Sequence, residues 1–93
     1  ITGDPRVQTN LGQILLITGD AAGARREFIQ SLALEPRQPV ALRKLGEAAL
    51  ELGDFSTAVS AFEAAGALRP EWQQDPKFAT DVGRARAGAT GTP

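Results

Sequence analysis

PVALRKLGEAALELGDFSTAVSAFEAAGALRP, Pro39 to Pro70, reads as two short amphipathic helices broken at Gly53-Asp54. Leu42, Leu45, Ala49 and Leu52 recur at spacings of three and four, so they share one face of the first helix. Phe55, Ala58, Val59, Phe62 and Ala65 do the same on the second. Gly53 suits the left-handed turn that ends a helix, and Asp54 can cap the free amides that open the next. Helices this short are marginal alone in water, so each must bury its apolar stripe. The nearest partner is the other helix, in an antiparallel hairpin.

The same hairpin is written 34 residues earlier, without a gap, in PRVQTNLGQILLITGDAAGARREFIQSLALEP, Pro5 to Pro36. Pro5, Leu11, Gly12, Leu16, Gly19, Asp20, Ala24, Phe28, Ala33, Leu34 and Pro36 recur as Pro39, Leu45, Gly46, Leu50, Gly53, Asp54, Ala58, Phe62, Ala67, Leu68 and Pro70. A match that keeps every turn residue and every small residue marks a structural repeat. The small residues have a packing reason. Gly12 and Gly46 leave room where the second helix crosses the first, Ala24 and Ala58 face them, and Phe28 and Phe62 fill the wedge beside the crossing. Ser31 and Ala65 are small where the next hairpin packs.

A helix–turn–helix unit of this period resembles the tetratricopeptide repeat. The resemblance is carried by Leu-Gly on the first helix, Ala and Phe on the second, and the closing Pro, present in both copies and covering Pro5 to about Trp72. It implies an all-α fold: a right-handed superhelical stack of antiparallel hairpins with five helices. The organisation expected is a lead-in at 1–4, one domain over 5–87 (repeats 5–38 and 39–72, then a capping helix at about 76–87), and a flexible tail or linker at 88–93. The chain departs from the family's pattern at the early aromatic of the first helix, here Gln8 and Leu42, and at the later Tyr, here Leu15 and Ala49. These swaps thin the packing. Gly23 and Gly66 inside helices each cost up to about 1 kcal/mol against Ala.

Read residue by residue, helices are expected at Pro5–Thr18, Ala21–Leu34, Val40–Leu52, Phe55–Leu68 and Pro76–Ala87. Asp4-Pro5 and Asp75-Pro76 both set a capping carboxylate before a first-turn proline. In the second helix Ala24, Phe28, Ile29 and Leu32 are expected inward. In the fifth, Phe78, Ala79, Val82 and Ala85 take one side, and Asp81, Arg84 and Arg86 the other. Trp72 is placed between the fourth helix and the cap. Val7 and Ile14 point partly away from their partner helix, where a preceding repeat would meet them.

Composition narrows the chemistry. The 93 residues carry a formal charge of −1, which gives no reason to expect a nucleic-acid partner. Without His or Cys the commonest general base, soft metal ligands and thiol nucleophile are missing, so neither catalysis nor a metal or cofactor is expected. Glu47 and Glu51 share a helix face, but a solvated surface explains them better than a catalytic dyad. No apolar run approaches the roughly 20 residues that span a bilayer, so direct membrane insertion is not expected. The start at Ile1 fits a piece of a longer protein; a soluble chain is expected, cytoplasmic or periplasmic, and the sequence leaves the compartment open. The excess of Arg over Lys, with abundant Ala and Gly, leans towards a GC-rich bacterial source.

The resemblance further implies a non-catalytic module that holds a segment of another protein in a concave groove. The family's inward positions fall on Arg6, Thr9, Gln13, Leu16 and Ile17, then on Val40, Arg43, Glu47, Leu50 and Glu51, with Asn10 and Lys44 beside them. One subclass grips a terminal carboxylate with paired Lys and Asn residues. Here Thr9 and Gln13 stand at the leading pair, Asn10 at the second Asn, and Val40 and Lys44 at the final pair. That clamp is incomplete, so chaperone-tail binding is not expected. The alternative is structural: a spacer or self-association segment that stacks through the apolar end-face of Val7 and Ile14 on further repeats or on another copy.

Overall fold

The computed structural model describes residues 4–91; residues 1–3 of the lead-in and 92–93 of the tail lie outside the described residues. Five α-helices follow in order: α1 Pro5–Ile17, α2 Ala21–Leu34, α3 Pro39–Glu51, α4 Phe55–Leu68 and α5 Pro76–Ala89. No strand occurs among the described residues. A 3-10 turn, Pro70–Gln74, joins α4 to α5 and was not foreseen from the sequence.

The boundaries follow from local chemistry. Asp4, Asp20, Asp54 and Asp75 each accept a backbone N–H of the helix they precede. α1 and α3 both end in the same left-handed turn. Gly19 has φ 97° and Gly53 φ 76°, and the following amides reach back to carbonyls five residues earlier, Asp20 N to Leu15 O at 2.8 Å and Asp54 N to Ala49 O at 2.9 Å. Gln38 caps nothing; its amide bonds Ser31 and the Glu35 carbonyl instead.

α1 pairs with α2 and α3 with α4 as antiparallel hairpins, and α3 and α5 lie against α2 and α4 respectively. Phe28 and Phe62 are fully buried against Gly12 and Gly46. Phe78 of α5 meets Phe62 edge to face, centroids 5.6 Å apart. The first helices touch one another, α1 with α3 and α3 with α5, while no α2 residue has its Cα within 8 Å of one in α4. The stack therefore closes on the α1–α3–α5 side and opens on the other. That is the curvature of an α-solenoid, 44 Å long and 26 by 19 Å across.

Several expectations need correction. Ile29 is half exposed rather than inward, because Ala24, Phe28 and Ser31 set the buried face and Ile29 lies a fifth of a turn or more beyond it. Leu11 and Leu52 are also 42 % and 40 % exposed. In α5 the assignments exchange: Ala79 is exposed, while Asp81 is buried with Phe78 and Ala85, its carboxylate met by Lys77 Nζ at 2.8 Å and Arg84 Nη1 at 3.9 Å. The helix also runs two residues beyond its expected end at Ala87. Gly88 is held against the Phe55 ring, where any Cβ would collide, so it belongs to the packed helix and not to a flexible tail.

Candidate partner-binding groove

Two clefts lie along the closed side of the stack. One, of about 150 Å³, is lined by Gln13, Leu16 and Ile17 of α1 and by Lys44 and Glu47 of α3. The other, of about 170 Å³, is lined by Glu47, Leu50 and Glu51 of α3 and by Lys77, Asp81 and Arg84 of α5. Glu47 stands in both. It pairs with Arg43 Nε at 3.8 Å and with Lys44 Nζ at 3.5 Å. Glu51 is exposed and has no ion pair among the described residues, and Ile17 is 84 % exposed. The result is a groove of mixed charge with a small apolar floor at Leu16 and Leu50.

Of the residues expected to face a partner, Gln13, Leu16, Ile17, Lys44, Glu47, Leu50 and Glu51 line these clefts, Leu50 as buried floor. Asn10 and Val40 are exposed but line neither. Arg6 does not reach the groove: its guanidinium doubles back on Asp4, 2.7 Å and 3.2 Å to Oδ2, and that hydrogen-bonded pairing lowers the Asp4 carboxyl below its ordinary value and raises Arg6.

Thr9 and Arg43 do different work from that expected. They are the same repeat position, and each joins a hairpin to the element after it. Thr9 is 8 % exposed, its hydroxyl 2.7 Å from Ser31 Oγ and 3.1 Å from Gln38 Oε1, and Ser31 Oγ lies 2.8 Å from the Pro5 carbonyl, so two hydroxyl protons are shared among three contacts. One repeat later the trio Thr9, Ser31 and Gln38 is Arg43, Ala65 and Trp72. Arg43 lies 4.9 Å from the Trp72 ring centroid and 5.1 Å from that of Phe78, and donates to Asp75 Oδ2 at 2.8 Å. Asp75 is lowered from its ordinary value chiefly by that hydrogen bond. Trp72 packs on Phe78, centroids 6.0 Å apart, as its place before the cap implied.

The groove residues that sequence reading missed are Lys77, Asp81 and Arg84. Their spacing of four and three was visible and puts them on one face of α5. What was hidden was that this face turns towards α3. Lys77 is raised above its ordinary value, first by the Asp81 hydrogen bond and also by the field of Glu47 across the cleft. Among the described residues no group of three or more acidic, His or Cys side chains is placed to hold a metal, and no helix is long and apolar enough to cross a membrane.

A family model described as "Tetratricopeptide repeat" matches residues 5–28 and 39–64, more than half of the chain. A search of curated proteins found no match.

Proposed function

We propose, on the premise that this chain belongs to the tetratricopeptide repeat family, that it holds an extended or helical segment of another protein in the α1–α3–α5 groove. The family makes it a protein–protein interaction module; the groove and the kind of segment are our reading. One observation carries it. Ile17, 84 % exposed, stands at the edge of a cleft that also presents Lys44 and Gln13, an apolar contact framed by polar ones. The role is non-catalytic, supported by a sequence without His or Cys. The Arg-, Ala- and Gly-rich composition supports a bacterial source.

The reading is tested by selecting peptides from a random library on the immobilised chain and mapping them by amide shifts. Shifts are expected at Gln13, Ile17, Lys44 and Glu47, with at least a tenfold loss of affinity in Ile17→Asp/Lys44→Glu at unchanged helicity. Peptides that instead shift the outer faces of α2 and α4 would overturn it. Arg43 is left out of the test because its loss would disturb the cap. A second reading, stacking through the end-face, is favoured by the exposure of Val7 and Ile14, 64 % and 57 %; neither lines a cleft.

A further inference from the structure

The two clefts flank α3, and each has room for one side chain. At about 150 and 170 Å³, both are smaller than the roughly 300 Å³ at which small-molecule sites begin. Glu47 stands between them, its charge met by Arg43 and Lys44. Their chemistry differs. The α1–α3 cleft offers Leu16 and the 84 % exposed Ile17, and its two charges, Lys44 and Glu47, answer each other. The α3–α5 cleft sets three carboxylates against two cations. Lys77 and Arg84 both turn to Asp81, at 2.8 and 3.9 Å, which leaves Glu51 exposed and without an ion pair among the described residues. Ile17 and Glu51 are one repeat position, 34 residues apart. With Val82-Gly83 of α5 set on Leu45-Gly46, the third member of that row is Gly88, which has no side chain to offer. The row therefore holds two anchors, one apolar and one anionic.

We propose that the groove takes a polyproline-II segment of a partner protein that carries a large apolar residue and, three residues from it, Lys or Arg. The apolar side chain rests on Leu16 and Ile17, and the cation meets Glu51. The assignment rests on the groove reading and gives its occupant a chemistry. Equivalent positions of adjacent packed helices stand about 8–10 Å apart. A polyproline-II chain puts residues i and i+3 on one side at about 9 Å. A β-strand puts same-face residues at about 7 and 13 Å, and misses. A helix spans the gap only from i to i+7, and its i+3 and i+4 side chains would then fall on Glu47, which is already paired. The chain itself does not supply the segment. Neither Ile1–Asp4 nor Gly88–Pro93 contains Lys or Arg. Leu34-Glu35-Pro36-Arg37 has the spacing, but Leu34 closes α2 and the Gln38 amide holds the Glu35 carbonyl at 2.8 Å, so this link is not free to lie in the groove of a second copy.

The probes are four synthetic peptides titrated into the full isotope-labelled chain. PPLPPRPP and its reverse PPRPPLPP carry the pair in the two chain directions, PPLPPEPP reverses the charge, and PPLPRPPP shortens the spacing to two. Two anchors give affinities in the millimolar range, so the titrations extend to about 5 mM. Saturable amide shifts at Ile17 and Glu51 are expected with at least one of the first two peptides. Binding about threefold weaker or more is expected for the charge-reversed and the shortened peptide. Glu51→Lys falls on an exposed position with no ion pair, keeps the helical signal, and should reverse the preference between PPLPPRPP and PPLPPEPP. The proposal is overturned if neither leucine–arginine peptide shifts the groove, if spacing or charge makes no difference, or if Glu51→Lys leaves the preference as it was. Dimerisation of the free chain through Glu51 and Arg37 overturns it as well, since the occupant would then be a second copy. Library peptides that map to the groove while these four do not would sink this assignment alone and leave the groove reading standing.

Discussion

A Cβ built on Gly46 would stand 2.6 Å from the Phe62 ring, and one on Gly12 equally close to Phe28; one on Gly83, at the same place in α5, would meet nothing within 4 Å. The same substitution should therefore have opposite signs. Gly46→Ala forces the Phe62 ring out of its slot and is expected to cost about 1–3 kcal/mol, while Gly83→Ala gains about 0.5–1 kcal/mol from helix propensity alone. Urea unfolding of both variants checks this; a Gly83→Ala chain less stable than the wild type would show that something does cover α5. Gly23 and Gly66, counted from the sequence as weak points, are packed positions. A Cβ at Gly23 would run into the Asp20 carboxylate that caps α2, and one at Gly66 would stand 2.6 Å from Gln73 Nε2. The equivalent of Gly23 in the second repeat is Thr57, whose N–H reaches its capping aspartate at 3.3 Å against 2.8 Å for Gly23. Gln8 is the opposite case. Its Nε2 donates to Gln30, but its Oε1 is buried with no partner, whereas the second repeat has Leu42 there. Gln8→Leu removes an unsatisfied acceptor and is expected to stabilise the chain by about 1 kcal/mol, read from the urea midpoint.

At the scale of elements, the two joints between a hairpin and its successor are built from one set of positions with different chemistry. Thr9, Ser31 and Gln38 close the first with hydrogen bonds, and Arg43, Trp72 and Asp75 close the second with a stacked, paired guanidinium. Arg43→Ala should cost about 2 kcal/mol through the lost stack alone, and it should act on α5 first: emission of Trp72, the only tryptophan, shifts red, and α5 amides exchange faster while α1 and α2 are unmoved. Asp75 gives the same joint a pH dependence. Its carboxyl is lowered, first by Arg43, so its contribution is complete above the ordinary aspartate value of about 3.9 and is lost as pH falls through the lower folded-state value. Acidification below about pH 4 should release Trp72 in the wild type and add little in Asp75→Asn, where the joint is already weakened. Asp4 and Asp54 are lowered too, so the difference between the two proteins is the measurement that isolates Asp75. These joints also explain what was legible. Pro, Gly and Asp mark helix ends through bonds two to five residues long, and four of the five helices both begin and end within a residue of where such signals put them. The contacts that Thr9 and Arg43 make at the joints were not legible because their partners arrive from 29 and 32 residues away. No local pattern distinguishes a cation facing solvent from one lying over a tryptophan.

Across the whole molecule, burial is graded along the stack. α3 has six buried residues, Ala41, Leu45, Gly46, Ala48, Ala49 and Leu50, and α1 has two, Thr9 and Gly12. α3 touches all four other helices, while α1 rests on α2 and only lightly on α3. In a linear array stability is the sum of units and the joints between neighbours, so the ends should open before the middle. Native-state hydrogen exchange is expected to give α3 and α4 the highest opening free energies, with α1 opening by a smaller event that leaves them closed. Leu45 sits at the joint between α2 and α3, 8 % exposed in the cluster with Ala24 and Phe28. Truncating it to Ala should cost about 2–4 kcal/mol and widen the gap, because the first hairpin loses its neighbour while the second keeps α5. Phe78→Ala should do the reverse, since Phe78 joins α5 to Phe62 at the other end. If instead every helix exchanges at one common free energy in all three proteins, the chain unfolds as a single block. Two repeats would then be too few for neighbour-by-neighbour behaviour, and the end-face of α1 would be as rigid as the centre of the stack.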